Sequence, residues 1–316
     1  MRYLNIKQGP SGISEIALGA WRMGNYTEKE AAIVVEAAIE SGINFFDNAV
    51  CYGKGKAEER FGHALKELNI QREKNNNQSK VGIDADNGKF DWSREFIVDS
   101  VEGSLKRLGT EYLDVVLLHR PDLLFDADEV AEAFDELYTS GKVKYFGVSN
   151  LKPMQMELLQ RSLNQKLLFN QLQFSVAETQ LIDHILYMNQ VKTGVAETDC
   201  LSDCIDGDVL DYCRLRNITI QPWSPLQFGF KGGTFLGQRE LFPELNQKLD
   251  ELAEKYEVPA AAIAIAWILR HPAHMQPLLG TMNPVHLAES AKGSGIDLTR
   301  QEWYSLYLSC KGRFLP

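Results

Sequence analysis

A carboxylate and a phenol lie five residues apart near the start of the chain, within residues 44–60. Asp47 ends a short apolar run, and Tyr52 follows five residues later, immediately before Gly53. A predicted strand that ends in a carboxylate, followed by a glycine-bearing loop that carries a phenol, is typical of acid–base chemistry at the mouth of a scaffold. Two side chains alone do not make a site, so the elements that position them decide the interpretation.

The overall composition is that of a globular protein without a general affinity for nucleic acid. The chain has 316 residues, of which 44% are hydrophobic and 24% are charged, values that are ordinary for a protein with a sizeable core. Its formal net charge of −10 argues against nucleic-acid binding, which needs clustered Lys and Arg. An anionic cofactor is compatible with this charge, because a few local cations or a helix N-terminus are enough to bind one.

Cysteine usage and the lack of long apolar runs predict a cytoplasmic protein. Cys200 and Cys204 are spaced C-x3-C, but no second pair follows at zinc-site spacing, so we expect loop thiols and no metal site. No apolar run approaches the ~20 residues needed to span a membrane, and the N-terminus lacks the apolar core of a signal peptide. We therefore expect free thiols in a reducing cytoplasm, no membrane partner, and either a monomer or a dimer.

Strands alternate with amphipathic helices along the chain. Residues 27–41 show this best, because Thr27 and Glu30 form a capping box, Gly42 lies at the C-terminal cap and apolar residues recur on one face. Two short strands, 3–6 and 14–18, are expected to form a hairpin around the turn at 9–12. Further strands are predicted at 43–47, 80–83, 114–119, 143–148, 167–173, 218–223 and 276–279, and further helices at 58–68, 93–108, 128–140, 153–163, 208–215, 244–256, 259–270 and 299–308.

This alternation predicts an α/β fold with a parallel sheet covered by helices. Eight strands favour a closed (β/α)8 TIM barrel, with an N-terminal β-hairpin and extra helices near the C-terminus, over an open doubly wound sheet. The lack of a GxGxxG motif after the first buried strand weakens the open-sheet alternative further. No low-complexity linker interrupts the pattern, so residues 1–316 are expected to form one domain.

In such a barrel the chemistry lies at the C-terminal ends of the strands. Lys80 lies by the third strand and His119 ends the fourth, on the same rim as Asp47 and Tyr52. Taken singly, each has a structural explanation. Asp47 could be a turn or helix-cap residue and Lys80 a solvated surface residue. His119 could be a structural histidine whose hydrogen bonds are made within the protein, and Tyr52 could serve in packing. A chance arrangement is far less probable when a carboxylate, a phenol, an ammonium and an imidazole all lie at the ends of adjacent strands. Other residues at these strand ends are Trp21, Ser149, Asn150, Asn170, Gln171, Trp223, Ser224, Pro225, Leu226, Gly280 and Thr281.

These four side chains suit the reduction of a carbonyl group. A phenol has a pKa near ~10 and is a poor acid at neutral pH, and the adjacent Lys80 ammonium is expected to lower the pKa of Tyr52. Asp47 would hold Lys80 charged and in place, and His119 could orient a carbonyl and share the proton path. Because no side chain donates a hydride, a nicotinamide cofactor is implied.

Longer blocks of the chain resemble the aldo-keto reductases, in particular NADP-dependent bacterial oxidoreductases. The pattern Asp47-x-Ala-x-x-Tyr52-Gly resembles the signature of that family. Further matching blocks are Ser-Leu-Lys-Arg-Leu-Gly-Thr-Glu-Tyr-Leu-Asp at 104–114, Leu-Leu-His-Arg-Pro-Asp at 117–122, Gly-Lys-Val-Lys-Tyr-Phe-Gly-Val-Ser-Asn at 141–150, Asn-Gln at 170–171 and Trp-Ser-Pro-Leu at 223–226. The resemblance runs from about residue 14 to 290 and implies a (β/α)8 barrel that reduces aldehydes or ketones with NADPH.

The same resemblance implies a role for individual residues. Asp47, Tyr52, Lys80 and His119 would form a catalytic tetrad with Tyr52 as the proton donor, and Trp21, Tyr52 and His119 would contact the substrate. The cofactor would be bound by Gly19, Ala20, Trp21, Ser149, Asn150, Gln171, Trp223, Ser224, Pro225, Leu226, Gly280, Thr281, Met282, His286 and Glu289.

The cofactor set divides into regions along the expected ligand. Ser149, Asn150 and Gln171 would hold the nicotinamide carboxamide, and Trp223 would stack on the ring. Residues 224–226 would lie along the pyrophosphate. Residues 280–289 would receive the adenosine end.

Some positions depart from the family pattern. His286 stands where related chains often place an Arg that grips the 2′-phosphate, and an imidazole is a weaker phosphate partner. NADPH stays favoured, with NADH as the alternative. The polar run at 75–79 is unlike a strand, so the third strand is expected either to start late or to be shielded by its loop. Cys51 is expected to pack, with a reactive thiol as the alternative.

The loop at 227–242 is aromatic and rich in glycine. It is expected to fold over the cofactor, with Lys231 or Arg239 near the phosphates, or else over the substrate. The residues at 310–316 are a further candidate for the edge of the pocket.

Two functions other than a carbonyl reductase are compatible with the same barrel. One is a non-catalytic NADPH-binding sensor or regulatory module. Some members of the same superfamily, such as the β subunits of potassium channels, resemble sensors more than metabolic enzymes. The other is a phosphate-handling lyase, which needs a Schiff base at Lys80. The intact tetrad argues against the sensor.

Overall fold

The structure, a computed structural model, describes residues 1–186, 208–229 and 232–311. Cys200, Cys204, Lys231 and residues 312–316, which the sequence singled out, lie outside the described residues. Within the described ranges, no helix is long and apolar enough to cross a membrane.

The described part of the chain contains twelve strands and eleven α-helices. The strands are β1 Tyr3–Asn5, β2 Ser11–Ser14, β3 Ala17–Gly19, β4 Phe45–Asp47, β5 Asn76–Val81, β6 Ile83–Asp84, β7 Lys89–Phe90, β8 Leu113–Leu118, β9 Val143–Ser149, β10 Leu167–Gln173, β11 Thr219–Trp223 and β12 Leu278–Leu279. The helices are α1 Glu28–Glu40, α2 Lys56–Glu67, α3 Arg94–Leu108, α4 Ala127–Thr139, α5 Pro153–Gln160, α6 Gln180–Leu186, α7 Val209–Arg216, α8 Pro243–Tyr256, α9 Ala260–Leu269, α10 Pro284–Ala291 and α11 Arg300–Lys311. All the predicted helices are present, whereas α6, α10 and the pair β6–β7 were not predicted.

Eight of these strands form a parallel sheet in the order β11–β10–β9–β8–β5–β4–β3–β12. The two edge strands are joined where the Gln276 N–H donates to the Ile220 carbonyl at 2.9 Å. The sheet therefore closes into a barrel, and the predicted α/β (β/α)8 architecture is confirmed. The predicted N-terminal hairpin is also present, as the antiparallel pair β1–β2.

Local capping fixes where several helices begin and end. At α1 the Thr27 hydroxyl accepts from the Glu30 N–H at 3.3 Å, and the Glu30 carboxylate accepts from the Thr27 N–H at 2.8 Å. The same reciprocal pair, Thr299 with Glu302, begins α11. Gly109 ends α3 with a left-handed φ of 64°, a conformation that costs glycine little. These boundaries agree with the capping signals in the sequence.

Alternate strand residues point into the barrel or out toward the helices. The barrel interior near the N-terminal strand ends is filled by Ile13, Ala17, Phe45, Val115, Leu117, Leu168, Phe169 and Leu278. The intervening residues, such as Phe46 and Val116, belong to the larger core between barrel and helices. Toward the other end the inward positions become polar, so the barrel has an apolar floor and a polar upper layer.

The expectation of a single strand at 14–18 is wrong. Ser11–Ser14 pairs with β1 in the hairpin, whereas Ala17–Gly19 is a separate strand of the barrel. The Ser14 hydroxyl donates to the Ile16 carbonyl at 2.7 Å, and the Ser14 N–H donates to the Asn44 side chain at 2.7 Å. These side-chain bonds bend the backbone between the two strands, which an apolar pattern does not reveal.

The third barrel strand starts earlier than the sequence predicted. It begins at Asn76 and covers the polar run instead of starting near Lys80, and it ends at Val81. Buried partners stabilise it: the Asn77 N–H donates to Asp114 at 2.9 Å, and the Ser79 hydroxyl donates to Glu58 at 2.5 Å. Strand propensity was overridden by these tertiary contacts.

Close packing at Gly147 gives a test of the barrel interior. A Cβ on Gly147 would lie 2.7 Å from the Phe169 carbonyl oxygen and 2.7 Å from a methyl group of Leu117. We expect Gly147→Ala to lower the free energy of unfolding by about 1–3 kcal/mol, because overpacking a core displaces backbone. Urea denaturation measures the change. Gly295→Ala is the matched control, since nothing lies within 4 Å of that Cβ; equal effects at both positions would contradict the packing argument.

Candidate active site

A buried ion pair connects two neighbouring strands at the upper end of the barrel. The Lys80 ammonium on β5 lies 2.7 Å from each carboxylate oxygen of Asp47 on β4, and it also donates to the Asn48 carbonyl at 2.7 Å. Both side chains are almost fully buried. Burial lowers the pKa of Lys80, but Asp47 and Tyr52 raise it, and the net pKa is above the ordinary value. Lys80 is therefore charged at neutral pH.

The Tyr52 phenol lies against this pair. Tyr52 begins a short turn in which Gly53 has a left-handed φ of 57°, and its ring centre is 4.7 Å from the Lys80 nitrogen. Burial raises the pKa of Tyr52 to about 12; Asp47 adds to the rise, and Lys80 opposes it. Lys80 thus lowers the pKa of Tyr52, as the sequence predicted, but burial outweighs this effect and the net pKa lies above the ordinary value. The phenol is held protonated next to a fixed positive charge.

His119 follows β8 and completes the group. Its ring meets the Tyr52 ring edge-on, with centres 5.8 Å apart, and its Nδ1 lies 3.5 Å from the Cys51 sulfur. Burial lowers the pKa of His119 well below the ordinary value, and the charges of Lys80 and Arg120 lower it further. The imidazole is therefore neutral at neutral pH and can donate or accept one hydrogen bond.

Below Asp47, four glutamines form a hydrogen-bonded chain across the barrel. Gln78 donates to Asp47 at 2.6 Å and to Gln221 at 2.9 Å. Gln171 donates to Asp47 at 3.1 Å, and Gln221 donates to Gln276 at 2.8 Å. Sequence reasoning found only Gln171, because the other glutamines carry no motif and lie on strands whose closure is not visible in the sequence.

A cavity of about 920 Å³ opens above these residues. It is lined by Asp47, Tyr52 and His119 and by all but one of the predicted cofactor-binding residues: Gly19, Trp21, Ser149, Asn150, Gln171, Trp223, Ser224, Pro225, Leu226, Gly280, Thr281, Met282, His286 and Glu289. Ala20 is buried behind the wall, where its N–H donates to the Asp47 carbonyl at 2.8 Å. Lys80 lies beneath Asp47 and does not line the cavity.

Two residues at the rim adopt strained backbone conformations. Asn150 after β9 has φ 61° and Ser224 after β11 has φ 53°, a region that residues other than glycine seldom occupy. The Trp223 indole N–H donates to the Asn150 side chain at 3.2 Å, and the Asn150 amide donates to the Ser149 hydroxyl at 2.7 Å. The strained backbone and these bonds fix the orientation of the indole at the cavity wall.

The opposite end of the cavity is formed by the start of α10. The Asn283 side chain accepts from the N–H groups of Val285 and His286, at 2.9 and 3.3 Å. His286 and Glu289 then project from the first turns of this helix into the cavity wall. The predicted segment 280–289 is thus a loop that leads into a capped helix.

Several cavity residues were missed by sequence reasoning. Arg22 donates to the Gly280 carbonyl at 2.9 Å and covers the Trp21 ring at 4.8 Å. Other lining residues that sequence reasoning did not single out are Tyr26, Ile83, Pro259, Ala260, Ala261, Leu278, Leu279 and Ser290. The loop at 227–242, which was expected to cover a ligand, contributes Gln227, Thr234 and Leu236 to the lining. Arg239 is paired with Asp250 outside the lining, so it does not occupy the position near the phosphates that was considered for it.

Removing the Lys80 charge should change the titration of His119. We expect Lys80→Met to raise the pKa of His119 toward 6.5, because the charge of Lys80 contributes to its depression and because a nearby cation disfavours a second positive charge. NMR titration of the imidazole Cε1–H, assigned with His119→Asn, measures the midpoint. Lys54→Met is the control, since Lys54 is exposed and paired with Asp86. An unchanged midpoint in Lys80→Met would refute the coupling.

The chain is similar to known oxidoreductases over nearly its whole length. The sequence profile of the Aldo/keto reductase family matches residues 15–307. 6-Dehydroglucose reductase from Agrobacterium fabrum is 33% identical over 95% of each chain, and oxidoreductase YdhF from Escherichia coli is 32% identical over 98% of this chain and 97% of that protein. The crystal structure of an aldo-keto reductase from Klebsiella pneumoniae in complex with NADPH is 25% identical, with a TM-score of 0.72 over 96% of this chain and 94% of the other. Site geometry, fold and sequence therefore agree that the chain belongs to the aldo/keto reductase family.

Proposed function

We propose that this protein reduces the carbonyl group of an aldehyde or ketone with NADPH, and that Tyr52 is the proton donor. The observation that carries the proposal is the protonated Tyr52 phenol, which lies 4.7 Å from the buried Lys80 ammonium and edge-on to a neutral His119 at the floor of a large cavity. A general acid must be protonated, desolvated and within reach of the substrate oxygen. Tyr52 meets the first two conditions and lines the cavity.

The residues around the cavity fit a nicotinamide dinucleotide. Gln171 donates its amide N–H groups to Asp47 and Gln221, so its oxygen is left to accept from a carboxamide. Ser149 and Asn150 supply further polar groups beside the Trp223 indole, which offers a flat apolar surface for a ring. Ser224, Pro225 and Leu226 would lie along the pyrophosphate, and Gly280, Thr281, Met282, His286 and Glu289 would bind the adenosine end. Gly19 and Trp21 would lie beside the nicotinamide, whereas Ala20, which is buried behind the cavity wall, would not contact it.

The chain's own residues supply the acid–base part of the reaction. The hydride comes from bound NADPH, because no side chain donates one. Tyr52 gives its hydroxyl proton to the carbonyl oxygen, and Lys80 stabilises the phenolate that remains. Asp47 holds Lys80 in position. The neutral imidazole of His119 donates a hydrogen bond to the same oxygen, and Trp21 forms the wall of the substrate pocket.

The proposed site of action is the reducing cytoplasm. Among the described residues, Cys51 and Cys213 form no disulfide, and cysteines that stay unpaired are typical of reducing compartments. The proposed partner is a small carbonyl compound, since the cavity of about 920 Å³ is of the size that holds a cofactor and a small ligand.

Replacing the phenol tests the proton-donor role. We expect Tyr52→Phe to lower kcat for carbonyl reduction by about 10²–10⁴-fold, the usual contribution of a general acid, with little change in NADPH affinity. Oxidation of NADPH, followed by its absorbance against a panel of aldehydes and ketones, measures kcat; quenching of tryptophan fluorescence measures binding. Tyr26→Phe is the matched control, because Tyr26 lines the same cavity away from Lys80. Robust turnover by Tyr52→Phe would show that Tyr52 is not the proton donor.

The same assay separates the enzyme from the non-catalytic sensor. Tight NADPH binding by the unaltered protein without turnover of any carbonyl would favour a sensor or regulatory module. Trapping of a covalent Lys80 adduct by borohydride would favour the lyase. The burial of Lys80 beneath Asp47 argues against the lyase, since its nitrogen does not reach the cavity.

The choice between NADPH and NADH depends on His286. We propose NADPH as the cofactor, and we expect His286→Arg to raise the preference for NADPH over NADH about tenfold, because a guanidinium pairs with a phosphate through two parallel hydrogen bonds. The ratio of kcat/KM for the two cofactors measures this preference. His286→Gln keeps a neutral side chain and serves as the control. A fall in the NADPH preference of His286→Arg would place the 2′-phosphate elsewhere.

A further inference from the structure

Arg120 lies at the junction of two cavities. It directly follows His119 at the end of β8 and lines the large cavity. It also lines a second cavity of about 380 Å³. Asn150 and Trp223 likewise line both cavities. Its guanidinium carbon is 5.8 Å from the centre of the Trp223 ring. The charge is therefore placed between the acid–base group and the Trp223 wall.

The guanidinium of Arg120 has no counter-ion in the described part of the chain. Arg120 is partly buried, and among the described residues it forms neither a hydrogen bond nor an ion pair. Other partly buried arginines do: Arg72 is paired with Asp114 at 2.7 Å and Arg107 with Glu58 at 2.7 Å.

The titratable groups that act on Arg120 are Tyr52 and Cys51. Burial raises the pKa of both the Tyr52 phenol and the Cys51 thiol, so neither supplies a negative charge at neutral pH. Burial in turn lowers the pKa of Arg120. The guanidinium is thus partly desolvated. No carboxylate among the described residues pairs with it, and its contact with the Trp223 ring is a cation–π interaction at 5.8 Å.

An uncompensated buried charge costs folding free energy. Its five N–H donors have a planar fork geometry that matches the oxygens of a carboxylate or phosphate. Arg120 lines the same cavity as His119 and Tyr52 and interacts electrostatically with Tyr52, so its donors are available to a ligand whose carbonyl reacts in that cavity. The residues proposed for the cofactor's phosphates, 224–226 and 280–289, belong to other strand ends.

We propose that Arg120 binds an anionic group of the substrate, and that the protein reduces carbonyl compounds that carry a carboxylate or a phosphate. This inference rests on the proposed function, because it assigns a substrate class to the same site. Arg120 is a binding and specificity residue here, whereas proton transfer stays with Tyr52.

Paired substrates test the inference. Succinic semialdehyde is compared with its neutral methyl ester, methyl 4-oxobutanoate, and glyceraldehyde 3-phosphate with glyceraldehyde, all with NADPH. We expect a higher kcat/KM for the anionic member of at least one pair, and the pair that shows it identifies carboxylate or phosphate. Arg120→Met should reduce the anionic-to-neutral ratio of kcat/KM by about 10- to 100-fold, mainly through KM, in line with the strength of a charge-assisted hydrogen bond.

Three further measurements separate a specific contact from general charge effects. Arg120→Lys keeps the charge without the fork, so it should retain part of the preference. Lys152→Met is the matched loss of one positive charge, because Lys152 is exposed at the second cavity; it should leave the ratio unchanged. The affinity of Arg120→Met for NADPH should stay within about threefold of the original, since the residues proposed to bind the cofactor's phosphates lie at other strand ends, where the loss of a distant charge is largely screened.

The outcomes that would overturn the inference are distinct from failure of the proposed function. No preference for either anionic substrate, or an equal loss on both members of a pair in Arg120→Met, would overturn the anion site. If Arg120→Met loses as much affinity for NADPH as for the anionic substrate, Arg120 binds the cofactor and not the substrate. Absence of turnover with every carbonyl would refute the reductase. Titration calorimetry with succinate and with glycerol 3-phosphate would then test the anion site by itself. The anion site is refuted if the protein binds neither compound, or if Arg120→Met binds them as tightly as the unaltered protein does.

Discussion

The buried contact between Lys80 and Asp47 is the interaction on which the rest of the site depends. A buried ion pair gives little net stability, because desolvation of both charges offsets their attraction. Loss of one partner, in contrast, leaves an uncompensated charge that costs about 3–5 kcal/mol. The barrel therefore has to keep both, and the parallel register of β4 and β5, in which Asp47 pairs with Gln78, places Lys80 at the right height to reach the carboxylate.

The same low-dielectric environment acts on the two neighbouring rings in opposite directions. Burial raises the pKa of Tyr52 and lowers the pKa of His119, so both rings are neutral at neutral pH. Among the charged groups, Lys80 then has the largest effect on the pKa of each ring. A site with this arrangement keeps its proton on the phenol until a substrate oxygen takes it, which is the order that reduction of a carbonyl requires.

The features predictable from the sequence were those that depend on local pattern. Alternating strands and helices, the capping pair Thr27 and Glu30, and the motif that contains Asp47 and Tyr52 all lie within short windows, and the structure contains each of them. The polar run that forms β5 was misjudged, because its partners, Asp114 and Glu58, come from distant parts of the chain.

The remaining differences have the same physical origin. Gln78 and Gln221 resemble surface residues in sequence, and only barrel closure brings them together below Asp47. The direction of the Tyr52 pKa shift depends on the depth of burial, which spacing does not encode. Arg120 belongs to a matching block, but whether it has a counter-ion depends on the fold, and none lies among the described residues.

The apolar floor of the barrel has a kinetic consequence. Ile13 from the N-terminal hairpin packs with Phe45, Val115 and Leu278 and blocks the end of the barrel opposite the cavity. In the described part of the chain the cavity lies on the other side of this floor, so ligands enter and leave past the rim that carries Trp223 and Trp21. A molecule bound deepest in the cavity can depart only after whatever lies above it, so the order of release is set by the depth of binding as well as by affinity.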